Sequence, residues 1–261
     1  LKIEFFLQKI KDNFPKLKWR KHRVLMHGWD HIVIILDEKI VFRFPKDKLA
    51  REKFQDEIRL FRYLKKKVKA NIPDYMYISK DKSFAGYDKL NGQELTYSNF
   101  RKLSSQEKES LAEQLADFIS TLHVTPKSII TKYNIKTQDE RKLYKKLLRD
   151  AEKIIFPRVS KKDIQLIEEY FGELKDALSQ KYSNVLVHYD LTGEHILRDS
   201  KKKKLNIIDF FDCAFGDPAI DFAGLLEYGI NFTEKVFNPY SGKKDDNMLK
   251  RSQLYFKRIP L

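Results

Sequence analysis

Residues 185–197 read "VLVHYDLTGEHIL", and their interpretation decides the fold. Three apolar residues of strand character, Val185, Leu186 and Val187, stop at His188. Asp190 follows two residues later, then His195 and the apolar pair Ile196 and Leu197. A carboxylate and an imidazole therefore stand on a short polar loop between two apolar strands. The stretch 205–226, "LNIIDFFDCAFGDPAIDFAGLL", supplies a further strand that ends on a carboxylate, Asp209. Short strands folded back on one another would bring Asp190, His195 and Asp209 to one edge. Carboxylate oxygens are the natural ligands of Mg²⁺, and another carboxylate can take a proton from a substrate hydroxyl. Phosphoryl transfer needs this division of labour, because there the protein mostly positions groups and neutralises charge.

Upstream, the first third of the chain reads as strands with helical interruptions. Residues 3–14 form an amphipathic helix pattern, and strands follow around 23–27, 31–36 and 39–45, the last stopped by Pro45. Residues 49–67 carry Phe54, Ile58, Phe61 and Leu64 on one helical face. Short strands recur near 75–79 and 83–88. A capping box, Ser104 with Glu107, then opens a helix, and helical patterns continue to about 180 with breaks near Pro126 and Pro157. The boundary falls near 91–92, between a sheet-rich segment 1–91 and a mostly helical segment 92–261.

The two chemical stretches, "HYDLTGEHIL" and "IIDFFDCAFGDPAIDFAGL", resemble the aminoglycoside phosphotransferase family, relatives of the protein kinases. That family's pattern is H-x-D-x-x-x-x-N-x-L, then I-D-F and G-D-P-x-x-D. His195 stands where most members have asparagine; the 2″ branch of the family and the macrolide phosphotransferases have histidine there. "IVFRFP" looks like the family's nucleotide-lobe strand, and "FAGYDKLNG" is similar to the hinge of the 2″ branch, the closest in pattern. The resemblance implies an α+β, bilobal protein-kinase-like fold, with a sheet-rich N-terminal lobe and a mostly helical C-terminal lobe. It implies a kinase that moves the γ-phosphate of ATP or GTP to a hydroxyl of an aminoglycoside. A macrolide, sugar or amino alcohol is the alternative acceptor, and a non-catalytic kinase-like binding module is the alternative of another class.

Carried over residue by residue, Asp190 would orient or deprotonate the acceptor hydroxyl, while His195 and Asp209 would hold Mg²⁺. Imidazole is an unusual ligand for so hard a cation. His188 is assigned to structure, Asp217 to a helix start, and Asp221 to anchoring the loop. Protein kinases pair a strand lysine with a helix glutamate; here Arg43 and Glu57 occupy those places. If Phe42 and Phe44 face the core, Arg43 looks out, into a nucleotide cleft or into water. Gly28 marks the turn that would cover phosphates, and Asp88 and Leu90 lie in the hinge that would meet the base. Asp212, Glu227 and Glu194 are the candidate contacts to an acceptor.

The formal net charge of +15 invites polyanions. Yet Lys201 to Lys204 lie at a hairpin tip without interleaved aromatics, and no nucleic-acid motif accompanies the charge. The reading is a lysine-rich solvated surface, with no nucleic-acid partner. An aminoglycoside site should be acidic, and Asp190, Glu194, Asp199, Asp209, Asp212, Asp217, Asp221 and Glu227 supply acid locally, against Arg198 and the tip Lys201 to Lys204. A hydrophobic share of 42% is ample for a core. The single cysteine, Cys213, excludes an internal disulfide framework and fits a reducing compartment. No apolar run approaches the roughly 20 residues a membrane span needs. A cytoplasmic monomer is expected.

Overall fold

The computed structural model describes residues 3–26 and 30–258. In chain order the first elements are α1 (Ile3–Asn13), β1 (His22–Leu25), β2 (His31–Leu36), β3 (Ile40–Pro45) and α2 (Lys48–Leu64). Then come β4 (Tyr77–Ile78), β5 (Ala85–Asp88), β6 (Gln93–Glu94), α3 (Tyr97–Arg101), α4 (Ser105–His123), α5 (Lys127–Lys132), α6 (Glu140–Ile154) and α7 (Lys161–Ser179). The chain closes with β7 (Val185–Val187), β8 (Ile196–Asp199), β9 (Lys204–Ile207), β10 (Ala214–Gly216), α8 (Ile220–Ala223), α9 (Ile230–Phe237) and α10 (Met248–Phe256). The chain folds into two compact units, Leu1–Gln93 with Leu197–Phe211, and Glu94–Ile196 with Asp212–Leu261. The first thus includes, besides the residues before the expected boundary, a hairpin from late in the chain.

In the first unit the strands order as β1-β2-β3-β5-β4, with antiparallel neighbours. Alternation drives Ile32, Ile34, Phe42 and Phe44 to one face, where they bury against Phe6 and Ile10 of α1 and against Phe84. Phe44 and Phe84 stack with centroids 4.3 Å apart. Each such side chain contributes roughly 1.5–3 kcal/mol through burial. The opposite face is also covered. There α2 packs on β3, started by Asp47, whose carboxylate accepts from the N–H of Ala50 at 2.7 Å. The apolar stripe of α2 carries one carboxylate, Glu57, among Phe54, Ile58, Phe61 and Leu64. The late hairpin joins this unit where Asn206 bridges Asn71 and Phe210 packs edge-on to Phe61.

The second unit is built on α4, whose Leu111, Leu115, Phe118, Ile119 and Leu122 are buried. The expected capping box is present, Ser104 and Glu107 satisfying each other's backbone N–H. Proline interrupts the helices where expected, at the N-cap of α5 and in a 3-10 turn over Phe156–Arg158. β7 pairs antiparallel with β10, Val187 opposite Ala214, so the apolar run before His188 is a buried strand. Among the described residues no helix is long and apolar enough to cross a membrane.

Candidate active site

Because α2 covers the outer face of β3, Arg43 looks neither into water nor away from the protein: it is 6% exposed. This removes the water-facing alternative that strand alternation left open. Its guanidinium is held as a fork. Nη1 donates to Oε1 of Glu57 at 2.8 Å and to the hydroxyl of Tyr75 at 3.1 Å. Nη2 meets Nδ1 of His31 and Oδ1 of Asp209, each at 3.2 Å. A guanidinium cannot accept, so His31 Nδ1 must, and its ring is neutral; burial, reinforced by Arg43, lowers its pKa to about 3. Burial likewise raises the pKa of Glu57, and Arg43 pulls against that rise. Asp209 follows β9 with φ 60, a left-handed backbone that Asp tolerates better than most residues. Its side chain remains 43% exposed. Arg43, Glu57 and Asp209 thus come together within one unit, and the sequence offered no sign of Tyr75 or His31 beside them.

Of the other expected nucleotide contacts, Asp88 is the exposed end of β5, opposite Ile40 of β3, and Leu90 is half-buried just past it. Gly28 lies outside the described residues.

In the second unit, β7 delivers the loop that holds Asp190. Asp221, fully buried, accepts from the backbone N–H of His188 at 2.9 Å and of Tyr189 at 2.8 Å. The same carboxylate meets Nε2 of His123 at 3.1 Å. One side chain therefore satisfies two loop amides, the anchoring role expected for it. Past the anchor, Tyr189 adopts φ 75, and Asp190 emerges with its side chain 44% exposed. His195 Nδ1 lies 2.9 Å from the carbonyl of Asp190 and 3.3 Å from its Oδ2, tying the two ends of the loop. Gly193 is required between them: a Cβ there would meet Leu95 O at 2.6 Å and the Tyr228 hydroxyl at 2.7 Å.

Asp190, His195, Glu194 and Glu227 line one cavity of about 330 Å³, with Thr96, Thr192 and Gly193. Glu227 also accepts from the N–H of Tyr97 at 3.2 Å. Asp212 is not in that lining; it is half-exposed, with Lys136 Nζ 3.9 Å away. Asp217 precedes α8 and accepts from the N–H of Ala219 at 3.0 Å, in the turn before a helix start that carries no side-chain cap, and it does more. Arg251 donates to both its oxygens, at 2.6 and 3.0 Å, and Tyr255 to one at 2.6 Å. Sequence reasoning missed Arg251, which is fully buried on α10 and also grips Asp245.

As to metal, the chemistry of the donors decides the fit. Asp209 offers oxygen and exposure, which suits Mg²⁺, while His195 offers nitrogen, which suits it less. No cluster of three or more His, Cys, Asp or Glu able to hold a metal occurs among the described residues.

Comparison with known proteins follows the same lines. A family model described as "Phosphotransferase enzyme family" matches residues 21–246. The GDP and kanamycin complex of APH(2″)-IIIa is 28% identical with a TM-score of 0.88, covering 97% of this chain and 88% of that one. The streptomycin–ATP ternary complex of APH(2″)-IIa is 26% identical with a TM-score of 0.75, covering 98% and 87%. A macrolide 2′-phosphotransferase of type I, 20% identical with a TM-score of 0.72 over 100% of this chain and 91% of that one, shares the fold. The architecture is the α+β protein-kinase-like one, with a sheet-rich N-terminal part and a helical C-terminal part.

Proposed function

This chain belongs to the phosphotransferase enzyme family, and on that footing we propose that it is a small-molecule kinase acting as a cytoplasmic monomer. It would transfer the γ-phosphate of ATP or GTP to a hydroxyl group of an aminoglycoside. The observation that carries the reading is the cavity of about 330 Å³ that gathers Asp190 with Glu194, His195 and Glu227. Its size suits a small ligand, and its carboxylates suit the ammonium groups of an aminoglycoside. Relatives crystallised with GDP and kanamycin, and with ATP and streptomycin, support the same choice of donor and acceptor.

In this reading Asp190 accepts the proton of the acceptor hydroxyl as its oxygen bonds the γ-phosphorus. The bond from that phosphorus to the bridging oxygen breaks, and a nucleoside diphosphate leaves. Arg43, fixed by Glu57 and Tyr75, would present positive charge to the donor phosphates, with Asp88 and Leu90 beside the base. Asp209 and His195 would hold Mg²⁺. Bound there, the ion would neutralise charge on the phosphate oxygens. Glu194, Glu227 and Asp212 would contact the acceptor.

A second reading has one observation in its favour. Lys136 stands 3.9 Å from Asp212 and already supplies that carboxylate with a cation. An acceptor with fewer ammonium groups, such as a macrolide, sugar or amino alcohol, would leave that pair undisturbed. Nucleotide consumption across aminoglycosides, macrolides and simple polyols, with ATP and GTP supplied separately, tests both. Turnover with an aminoglycoside is the expected result; turnover confined to the other classes favours the second reading, and none with any acceptor overturns both.

A further inference from the structure

We propose that Glu140 is a positioning residue for the phosphoryl-transfer loop, acting through the hydroxyl of Tyr189. The proposal rests on the reading of Asp190 as the carboxylate that receives the acceptor's proton. Tyr189 immediately precedes Asp190 and carries φ 75. A bulky residue in that region is strained and persists only where its surroundings over-determine it. Here both ends of the residue are pinned. At the backbone, its N–H donates to Asp221. At the far end of the ring, its hydroxyl donates to Oε1 of Glu140 at 2.9 Å. Were the ring end released, Tyr189 would be free to relax toward negative φ, rotating the peptide from which Asp190 departs.

Helix capping does not account for Glu140. It is the first residue of α6, yet that helix is already capped: Asp139 accepts from the N–H groups of Arg141 and Lys142. Glu140 itself is 0% exposed, and its Oε2 has no partner among the described residues. A carboxyl buried for one hydrogen bond loses more in desolvation than that bond returns. An apolar side chain would serve the helix better. What the carboxyl supplies is a fixed acceptor for Tyr189, with Arg258, just past α10, adding positive charge beside both groups. Lys136 lies 5.9 Å from the Tyr189 ring. The ring is therefore held from α6, from the segment before it, and from the end of α10.

The test uses the full chain and three variants: Tyr189→Phe, which removes only the hydroxyl, Glu140→Leu, which removes the acceptor, and Glu140→Gln, which keeps one. Glu140→Leu leaves Arg258 without its nearby carboxylate, so urea unfolding checks its fold first, and Tyr189→Phe, which touches no charge, carries the test where Glu140→Leu is destabilised. Amide hydrogen exchange across residues 186–192 is the first readout, and it needs no substrate. The loss of one buried hydrogen bond should speed exchange at Tyr189 and Asp190 about tenfold in Tyr189→Phe and Glu140→Leu, with protection of β2 and α4 unchanged. Glu140→Gln should recover most of that loss. With kanamycin and GTP, or whichever acceptor the screen identifies, kcat should fall by about the same factor while the nucleotide KM holds. Unchanged loop exchange in folded Tyr189→Phe and Glu140→Leu would overturn the proposal. Should Asp190→Asn keep its turnover while the loop still loosens, the reading of Asp190 fails and the positioning contact stands.

Discussion

Arg43 shows what a single buried charge requires. Its guanidinium serves Glu57, Tyr75, His31 and Asp209 at once, which only a planar fork can do. Arg43→Lys should therefore keep one contact at most, weakening nucleotide binding about tenfold, the worth of one charge-assisted hydrogen bond. Nucleotide titration of both proteins measures this; equal affinity would remove Arg43 from the donor site. Arg43→Met should cost about 3–5 kcal/mol in urea unfolding, because Glu57 is left buried without its cation. The pairing of Arg43 with Glu57 was legible through the likeness to protein kinases, whose strand lysine and helix glutamate occupy those places. Tyr75 was not: nothing in "PDYMYISK" separates it from Tyr77, and only tertiary packing brings one hydroxyl to the fork. The reach of Asp217 to Arg251, 34 residues on, was hidden for the same reason.

Elements were read more reliably than their ends. The strands around β2, β3 and β5 and the helices α1, α2 and α4 follow directly from apolar periodicity, and the capping box of α4 from its Ser–Glu spacing. What periodicity does not carry is how a turn is held. Between β2 and β3, Asp37 and Glu38 both adopt left-handed φ, 48 and 54. The Asp37 carboxylate accepts from the N–H groups of Arg20 and Lys21, which lower its pKa, and hydrogen bonds from Arg23 and Lys89 lower that of Glu38 to about 2. Both folded values lie below the unfolded ones, so their contribution is complete above about pH 4.5 and fades as pH falls toward about 2. Acid unfolding of Asp37→Asn/Glu38→Gln should show a shallower loss across that window than the parent. At the other end of the chain, α10 is fastened by Arg251 between Asp217 and Asp245. Arg251→Leu strands the buried Asp217 and should cost about 3–5 kcal/mol in urea unfolding; a loss below ~1 kcal/mol would show the network to be slack.

At the scale of the whole molecule, the chain leaves its first compact unit, returns to it for residues 197–211 and leaves again, which a single boundary near residue 91 does not describe. Sequence periodicity cannot reveal this, because the late hairpin looks like any other pair of strands until Asn206 and Phe210 find Asn71 and Phe61. The net charge of +15 gives no better guide to function, since the cavity beside Asp190 holds carboxylates on a basic body. Local charge governs there, because fields are screened beyond about 8 Å at physiological salt. The loop of residues 188–195 is where sequence, structure and proposed chemistry meet, so the decisive variant is Asp190→Asn. It preserves shape and removes the proton acceptor. Turnover of the acceptor found in the screen and affinity for the donor nucleotide should be measured on the same preparations. The account predicts that kcat falls about a hundredfold to ten-thousandfold while nucleotide affinity stays within about twofold. Turnover within a few-fold of the parent would contradict it.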